Sequence, residues 1–151
     1  MKARVLIING PNLNLLGSRE PGVYGEGTYS ELLELISSAA RERGIAVSFF
    51  QSNHEGAIID AIQASIGVYD GLVINPGAYT HYSYAIYDAL RAITVPAAEV
   101  HISDITKREP FRRVSVTAPA CVAQIYGEGF PGYVHALDVL LNIISEDAEN
   151  G

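Results

Sequence analysis

The sequence predicts an α/β protein in which a parallel β-sheet lies between two layers of helices. Five short apolar segments alternate with segments whose apolar residues recur at helical spacing. The strand segments are apolar at successive positions, which is typical of parallel strands that are buried on both faces. No linker or low-complexity tract divides the 151 residues, so we expect one domain spanning 1–151.

Five segments rich in β-branched and apolar residues predict the strands. They are Ala3–Asn9, Ile45–Gln51, Gly71–Asn75, Val95–His101 and Cys121–Tyr126. With right-handed crossovers, the simplest arrangement is a flavodoxin-like three-layer sandwich with a five-stranded parallel sheet in the order 2-1-3-4-5.

Four amphipathic segments predict the helices. The first begins at a capping box, with Thr28 as the N-cap and the Glu31 side chain reaching back, and it ends at Gly44. A later helix begins at about Ser83. The predicted core-facing stripes are Leu32, Ile36, Ala39 and Ala40; Ile58, Ile59, Ile62 and Ile66; Ile86, Leu90 and Ile93; and Leu137, Leu140, Leu141 and Ile144.

A long polar segment, residues 10–27, follows the first strand. Its prolines and glycines predict that it does not form a helix. Loops of this length within a compact domain are usually functional, so we interpret this segment as a lid loop. A solvated surface loop is the alternative.

Polar side chains follow three of the predicted strands where each one ends. In a parallel sheet, ligands bind outside the carboxyl ends of the strands, near the switch between strands 1 and 3. The residues concerned are Asn9 and Asn12, Asn75 and His81, and Glu99, His101 and Ser103. We therefore expect the chemistry of the protein to lie at this edge of the sheet.

The composition limits the classes of partner. A net charge of −7 argues against nucleic acid or an anionic membrane surface as a partner. The sequence shows neither a membrane span nor a basic, apolar leader, and its one cysteine, Cys121, predicts a buried thiol. We expect a cytoplasmic protein.

Arginines are concentrated at two places on this acidic chain. Arg19 lies in the first loop, and Arg108, Arg112 and Arg113 lie in one late segment. These arginines are candidates for an anion-binding site; solvated arginines on a surface helix are the alternative.

The sequence gives little support for a metal site, a covalent lysine, a serine nucleophile or a dinucleotide site. No close-spaced ligand pair predicts a metal site, and neither Lys2 nor Lys107 is in a segment that would desolvate an amine for covalent catalysis. No G-x-S-x-G elbow occurs. The G-x-G-x-x-G run at 127–132 lacks the following strand that a dinucleotide site needs, so we interpret it as a turn before the last helix. We interpret His54 and His135 as structural or surface residues.

Two acid–base groups remain. Glu99 and His101 share one face of a strand, a spacing that suits a carboxylate orienting an imidazole. Tyr24 lies five residues after Arg19. Only about one part in a thousand of a free tyrosine is ionised at pH 7, but nearby guanidinium groups would favour the phenolate and allow Tyr24 to act as a general base. A packing role for Tyr24 is equally compatible with the pattern.

These residues resemble those of the type II 3-dehydroquinate dehydratases, over nearly the whole chain. The segments that carry the resemblance are 9–14, 17–21 with Tyr24 and Gly25, 51–56, 75–81, 99–103 and 108–112. The resemblance implies a cofactor-free and metal-free anti elimination of water from 3-dehydroquinate, giving 3-dehydroshikimate in the shikimate pathway. Whether the reaction serves aromatic biosynthesis or quinate breakdown stays open.

The resemblance also implies roles for individual residues. Tyr24 would remove the proton α to the ketone, with Arg19 and Arg108 favouring its ionised form. His101, oriented by Glu99, would protonate the leaving hydroxyl group. The further roles implied are enolate stabilisation through a water on Asn12, carboxylate binding at Ile102 and Ser103, and contacts to ring hydroxyls from Asn75, His81 and Arg112.

Asp88 carries an expectation about assembly. It lies about 200° around its helix from the core-facing Ile86, so it points away from its own domain. In the family that the chain resembles, the matching aspartate completes a neighbour's site in a trimer, and four trimers form a homododecamer. Two residues depart from the family pattern, Tyr87 at that subunit contact and Asp104 at the rim of the site.

Two other classes of function remain as alternatives. The first is a flavin- or nucleotide-binding module of the same fold, which would purify with flavin absorbance. The second is a structural assembly subunit, which would assemble without dehydratase activity.

Overall fold

The computed structural model describes residues 2–18 and 20–151, and these form five strands and five α-helices. The strands are β1 Ala3–Asn9, β2 Ile45–Gln51, β3 Gly71–Asn75, β4 Ala97–His101 and β5 Ala123–Tyr126. The helices are α1 Pro21–Tyr24, α2 Tyr29–Glu42, α3 Glu55–Ala64, α4 Tyr84–Ala92 and α5 Pro131–Asn150.

The strands form one parallel sheet in the order β2-β1-β3-β4-β5, which confirms the predicted flavodoxin-like arrangement. Asn9 at the end of β1 is paired with Asn75 at the end of β3. Ile74 of β3 is paired with Glu99 of β4. The carboxyl ends of β1, β3 and β4 therefore meet at one edge of the sheet, as the strand-end pattern predicts.

Two hydrophobic clusters cover the two faces of the sheet. Val5 and Ile7 of β1 pack on the side of α2 and α5, whereas Leu6 and Ile8 pack on the side of α3 and α4. Successive side chains of a strand point to opposite faces, so burial on both faces requires an unbroken apolar run. None of the described helices is both long and apolar enough to span a bilayer.

The last two strands are shorter than predicted. β4 starts at Ala97 rather than Val95, since Pro96 has no N–H to give to a ladder, although its carbonyl still accepts from Leu72 N at 2.9 Å. β5 starts at Ala123 because the preceding 3₁₀ turn extends to Cys121, whose N–H donates to Ala118 O at 2.9 Å. Cys121 is half-buried rather than buried.

The predicted helices form with two corrections. Thr28 caps α2, its hydroxyl accepting from Glu31 N at 3.1 Å. The second hydrogen bond of a capping box, from Thr28 N to the Glu31 carboxylate, is not among those of the described chain. Ile66 is 58% exposed and lies beyond the end of α3. The buried Ser65 hydroxyl ends this helix by donating to Ile62 O at 2.6 Å.

The loop 10–27 contains two helical turns that the sequence did not predict. A 3₁₀ turn spans Leu13–Leu15, and α1 follows with Pro21 at its start, where a missing N–H costs nothing. Leu13 and Leu16 are buried in the core beneath the loop. The prediction of a helix-free loop was therefore wrong, because short turns need only three or four residues between the prolines and glycines.

Candidate active site

A polar cleft lies at the carboxyl edge of the sheet and encloses about 400 Å³, its open mouth included. Its walls come from the loops after β1, β3 and β4. The described residues that line it are Leu13, Tyr24, Asn75, Gly77, Ala78, His81, His101, Ile102, Ser103, Ile105, Arg108 and Arg112.

Glu99 and His101 form a buried pair at the end of β4. His101 Nε2 lies 2.8 Å from Glu99 Oε2, and the two residues are 5% and 0% exposed. The carboxylate oxygen is an acceptor, so Nε2 carries the hydrogen and the tautomer is set. Burial would raise the pKa of the Glu99 carboxyl, but hydrogen bonds from His101, Thr117 and Ser115 together hold it below its usual value. Glu99 therefore stays charged and can stabilise positive charge on the imidazole.

Tyr24 is placed against Arg108. Arg108 Nη1 donates to the Tyr24 hydroxyl oxygen at 2.8 Å, and the guanidinium carbon lies 5.3 Å from the centre of the phenol ring. The Arg108 side chain is only 14% exposed, so water screens its charge weakly. A guanidinium directed at a phenol oxygen stabilises negative charge there, which is what a tyrosine base requires.

Asn75 is held by a buried network that begins on α5. Its Nδ2 donates to the Tyr133 hydroxyl at 3.0 Å, and its Oδ1 accepts from Gly77 N at 3.1 Å. The Tyr133 hydroxyl in turn donates to Asn9 Oδ1 at 2.6 Å. Burial raises the pKa of Tyr133, so this phenol stays neutral and remains a donor. The orientation of the Asn75 amide is therefore fixed, with its second Nδ2 hydrogen left for a ligand.

His81 is fixed as a neutral acceptor. Its Nδ1 lies 2.8 Å from the carbonyl oxygen of Val114, so Nδ1 carries the hydrogen. Burial lowers the pKa of His81, and the positive charges of Arg108 and Arg112 lower it further. In this state Nε2 has a free lone pair, and His81 can accept a hydrogen bond from a hydroxyl group.

The loops after β1 and β3 touch so closely that glycine is needed in both. A Cβ at Gly10 would lie 2.5 Å from the Pro76 carbonyl oxygen, and Gly10 N donates to Asn75 O at 2.8 Å. Gly77 has a φ of +61°, which disfavours residues with a Cβ, and its Cα faces Pro11. This contact holds the two loops against each other beside the cleft, which Gly77 lines.

The cleft is cationic on an acidic chain. Arg108 and Arg112 enter it from one segment, and Glu109 lies between them, with Oε2 2.7 Å from Arg112 Nε and 4.0 Å from Arg108 Nε. The two guanidinium groups line the cleft beside the two imidazoles, whereas the carboxylates of Glu109 and Glu99 are not among its lining residues. The cleft is thus suited to a small anion that carries hydroxyl groups.

The structure brings most of the predicted site residues together. Eight of them line the cleft: Tyr24, Asn75, His81, His101, Ile102, Ser103, Arg108 and Arg112. Glu99 lies behind His101. Asn12 and Asp88 are exposed and do not line this cleft, and Arg19 lies outside the described residues. In the part of the chain that the structure describes, no group of three or more His, Cys, Asp or Glu side chains could hold a metal ion.

Comparisons with known proteins match both the sequence and the fold. The family model of class II dehydroquinases matches residues 3–141 of the chain. The chain belongs to the class II dehydroquinase family. It is 55% identical to the 3-dehydroquinate dehydratase of Clostridium acetobutylicum over 143 residues, which cover 95% of this chain and 99% of that protein.

Two solved dehydroquinase structures share the fold. The type II dehydroquinase of Butyrivibrio crossotus superimposes with a TM-score of 0.91 at 51% identity, covering 93% of this chain and 98% of that one. The enzyme of Propionibacterium acnes gives a TM-score of 0.90 at 39% identity, covering 94% and 98%.

Asp104, one of the two expected departures from the family pattern, has a local role. Asp104 caps the 3₁₀ turn Ile105–Lys107, its Oδ1 accepting from Thr106 N at 3.0 Å. Ile105, which this turn positions, lines the cleft. Asp104 therefore shapes the rim of the site from behind.

Sequence reasoning missed the residues that support this dehydroquinase site. Ser115 and Thr117 donate to Glu99, and Tyr133 orients Asn75. Ser115 and Thr117 lie in a segment that forms neither a strand nor a helix, so no periodicity points to them. Tyr133 gave no signal either, because a tyrosine in an apolar helix is indistinguishable from an ordinary core residue.

Proposed function

We propose that this chain catalyses the dehydration of 3-dehydroquinate to 3-dehydroshikimate by anti elimination through an enolate. One observation carries the proposal: a phenol held by a guanidinium and an imidazole held by a buried carboxylate lie in the same cationic cleft. These are the base and the acid that an elimination of water from a hydroxy ketone requires. The relatives named 3-dehydroquinate dehydratase support this substrate.

Tyr24 is the proposed base. As the phenolate it removes the proton α to the ketone, and Arg108 stabilises the charge on its oxygen through the 2.8 Å contact. Arg19 would supply a second guanidinium, for the phenolate and for the enolate. Asn12 would hold a water molecule against the enolate oxygen, from its exposed position at the start of the first loop.

His101 is the proposed acid. With Nε2 committed to Glu99, its Nδ1 is the nitrogen that remains for the substrate. A proton delivered from Nδ1 lets the C1 hydroxyl depart as water, and the Glu99 carboxylate stabilises the protonated ring before that transfer.

The remaining cleft residues bind the substrate. Its carboxylate would lie on the N–H groups of Ile102 and Ser103 and on the Ser103 hydroxyl. The carbonyls of these two residues already accept from Gly129 N at 3.1 Å and Gly127 N at 3.0 Å, which fixes the peptide planes of the loop.

The ring hydroxyls would contact Asn75, His81 and Arg112. Neutral His81 accepts a hydrogen bond, whereas Asn75 Nδ2 and the Arg112 guanidinium donate. Such a mixed set can select a ring with adjacent hydroxyl groups over one without them.

The proposed reaction uses no cofactor and no metal, and we place the enzyme in the cytoplasm. The enzyme would act in the shikimate pathway, and the chemistry is the same for aromatic biosynthesis and for quinate breakdown.

The proposed function predicts the appearance of a conjugated enone as 3-dehydroquinate is consumed. Purified protein should turn over in the presence of a chelator. It should also survive borohydride with substrate, because Lys107 has an 82% exposed side chain and Lys2 is exposed, so neither amine is desolvated. Absorbance of the enone measures the rate. Absence of turnover would contradict the proposed function, and reductive trapping of substrate on a lysine would contradict the non-covalent mechanism.

We further propose a homododecamer built from trimers, in which Asp88 reaches a neighbour's cleft. Asp88 is exposed on α4, and Tyr82 and Tyr84 beside it are 60% and 69% exposed. Large exposed aromatic side chains are enriched at protein interfaces.

The assembly predicts a particle far heavier than the 16.2 kDa chain, as measured by light scattering. Asp88→Asn keeps the shape of the side chain and removes its charge, so the particle should form while kcat/KM falls by roughly 10- to 100-fold. Asp147→Asn near the end of α5 is the matched control and should behave as the parent. A fully active monomer would contradict the proposal.

A further inference from the structure

The Glu99 carboxylate is surrounded by hydroxyl groups that the proposed reaction does not use. We propose that Ser115 and Thr117, supported by Thr80, form a hydroxyl clamp of positioning residues that holds Glu99 ionised and aimed at His101. The inference rests on the proposed function, because His101 needs a fixed imidazole orientation only if it acts as the acid.

The clamp contacts both carboxylate oxygens. Ser115 Oγ donates to Glu99 Oε2 at 2.7 Å, beside the contact from His101 Nε2. Thr117 Oγ1 donates to Oε1 on the opposite side. Hydrogen bonds on both oxygens prevent rotation of the carboxylate about its Cγ–Cδ bond, so the oxygen that faces the imidazole stays in place.

Thr80 supports the clamp from behind. Its Oγ1 lies 2.7 Å from Ser115 Oγ and 2.6 Å from Thr117 Oγ1. Those two hydroxyls give their hydrogens to the carboxylate, and Thr80 has a single hydrogen, so Thr80 donates to one of them at a time. The hydroxyl that accepts this bond donates more strongly to Glu99, so Thr80 strengthens the clamp. Thr80, Thr117 and Glu99 are all fully buried, and no solvent competes for these bonds.

One segment holds both histidines of the site. Within residues 114–117, Val114 O accepts from His81 Nδ1 at 2.8 Å, and Val116 N donates to Thr80 O at 2.7 Å. The same segment presents Ser115 and Thr117 to Glu99. It therefore fixes the positions of the substrate-binding imidazole and of the proton-donating imidazole relative to each other.

The titratable and charged groups around the Glu99–His101 pair determine how a pH profile responds to a change in the clamp. His101, Gln124 and the Cys121 thiol face Glu99, with Gln124 Nε2 3.5 Å from Oε2. On the histidine side of the cleft, Arg108 and Arg112 bring positive charge, and His81 faces them as a neutral imidazole. The clamp hydroxyls do not titrate themselves, so they act on the pH profile through Glu99, whose carboxylate they contact.

The central test compares Thr117→Val, which removes the hydroxyl at nearly constant shape, with Thr117→Ser, which retains it. Thr117→Val should lower kcat by roughly 10- to 100-fold, the range for partners that orient a catalytic side chain, with little change in KM. Loss of a donor weakens the ionised form of Glu99, so the acidic limb of the kcat profile should move to higher pH. Thr117→Ser should restore both quantities. Thr94→Val, at an exposed turn before β4, is the control and should match the parent.

A second measurement needs no substrate. The Nε2 proton of His101, observed by NMR, should exchange with solvent at least tenfold faster in Thr117→Val than in the parent or in Thr117→Ser. Should Thr117→Val fail to fold, Ser115→Ala removes the other donor at a half-buried position and is judged by the same two readouts. An active parent whose clamp variants keep kcat, its acidic limb and proton exchange within twofold would overturn the clamp alone. A parent without dehydratase activity would overturn the proposed function, while the exchange measurement still decides the clamp.

Discussion

His101→Ala is expected to lower kcat by about 10²–10⁴-fold, the usual contribution of a general acid or base. The change removes the group that we propose to protonate the leaving hydroxyl, and the buried Glu99 keeps its hydrogen bonds from Ser115 and Thr117. The carboxylate is therefore not left without donors, and the fold should survive. Enone absorbance gives kcat, and circular dichroism with light scattering checks the fold and the assembly.

His101→Ala should separate the two steps of the elimination, which are removal of the α-proton and loss of the hydroxyl group as water. Tyr24 stays in place, so the hydrogen α to the ketone should still exchange with deuterated solvent, as followed by proton NMR of the substrate. His135→Ala is the matched control, because His135 pairs with the exposed Glu128 at 3.0 Å, away from the cleft, and should leave kcat unchanged. If assembled His101→Ala turned over within tenfold of the parent, His101 would not be the acid.

The strand ends were predictable from the sequence, because a buried strand is a run of apolar residues and the first polar residues mark where that run ends. Asn75 and His101 each end a strand at the position where the structure places the cleft. Right-handed crossovers leave few sheet orders, and the order 2-1-3-4-5 brings the carboxyl ends of β1 and β3 together.

The contacts between distant segments were not predictable in the same way. Arg108 meets Tyr24 across 84 positions of sequence, and Tyr133 meets Asn9 across 124. Neither pair has a local periodicity that signals it, because its geometry depends on how loops pack over the finished sheet. Residues such as Thr117 are harder still to find, since a buried hydroxyl is defined by its partner rather than by its neighbours in sequence.

The largest expected effect of all belongs to Tyr24→Phe. The ring and its packing are retained, but the oxygen that accepts the proton is removed, so kcat should fall by at least about 10²–10⁴-fold. Tyr24 is half-buried, and Arg108 retains Glu109 nearby, so removal of the Tyr24 hydroxyl should leave the fold and the particle intact. The substrate Kd should change little, because the proposed carboxylate and hydroxyl contacts come from the loops after β3 and β4.

Solvent exchange distinguishes this variant from His101→Ala. Without the base, Tyr24→Phe should lose both dehydration and exchange of the α-hydrogen, whereas His101→Ala should lose dehydration alone. Tyr69→Phe is the control: Tyr69 lies before the amino end of β3, at the edge of the sheet opposite the cleft, and its replacement should preserve both activities. Rates of enone formation and of deuterium incorporation, with Kd from equilibrium binding, complete the comparison. An assembled Tyr24→Phe protein that still exchanges the α-hydrogen at the parent rate would show that another group is the base, and the mechanism proposed for this cleft would be wrong.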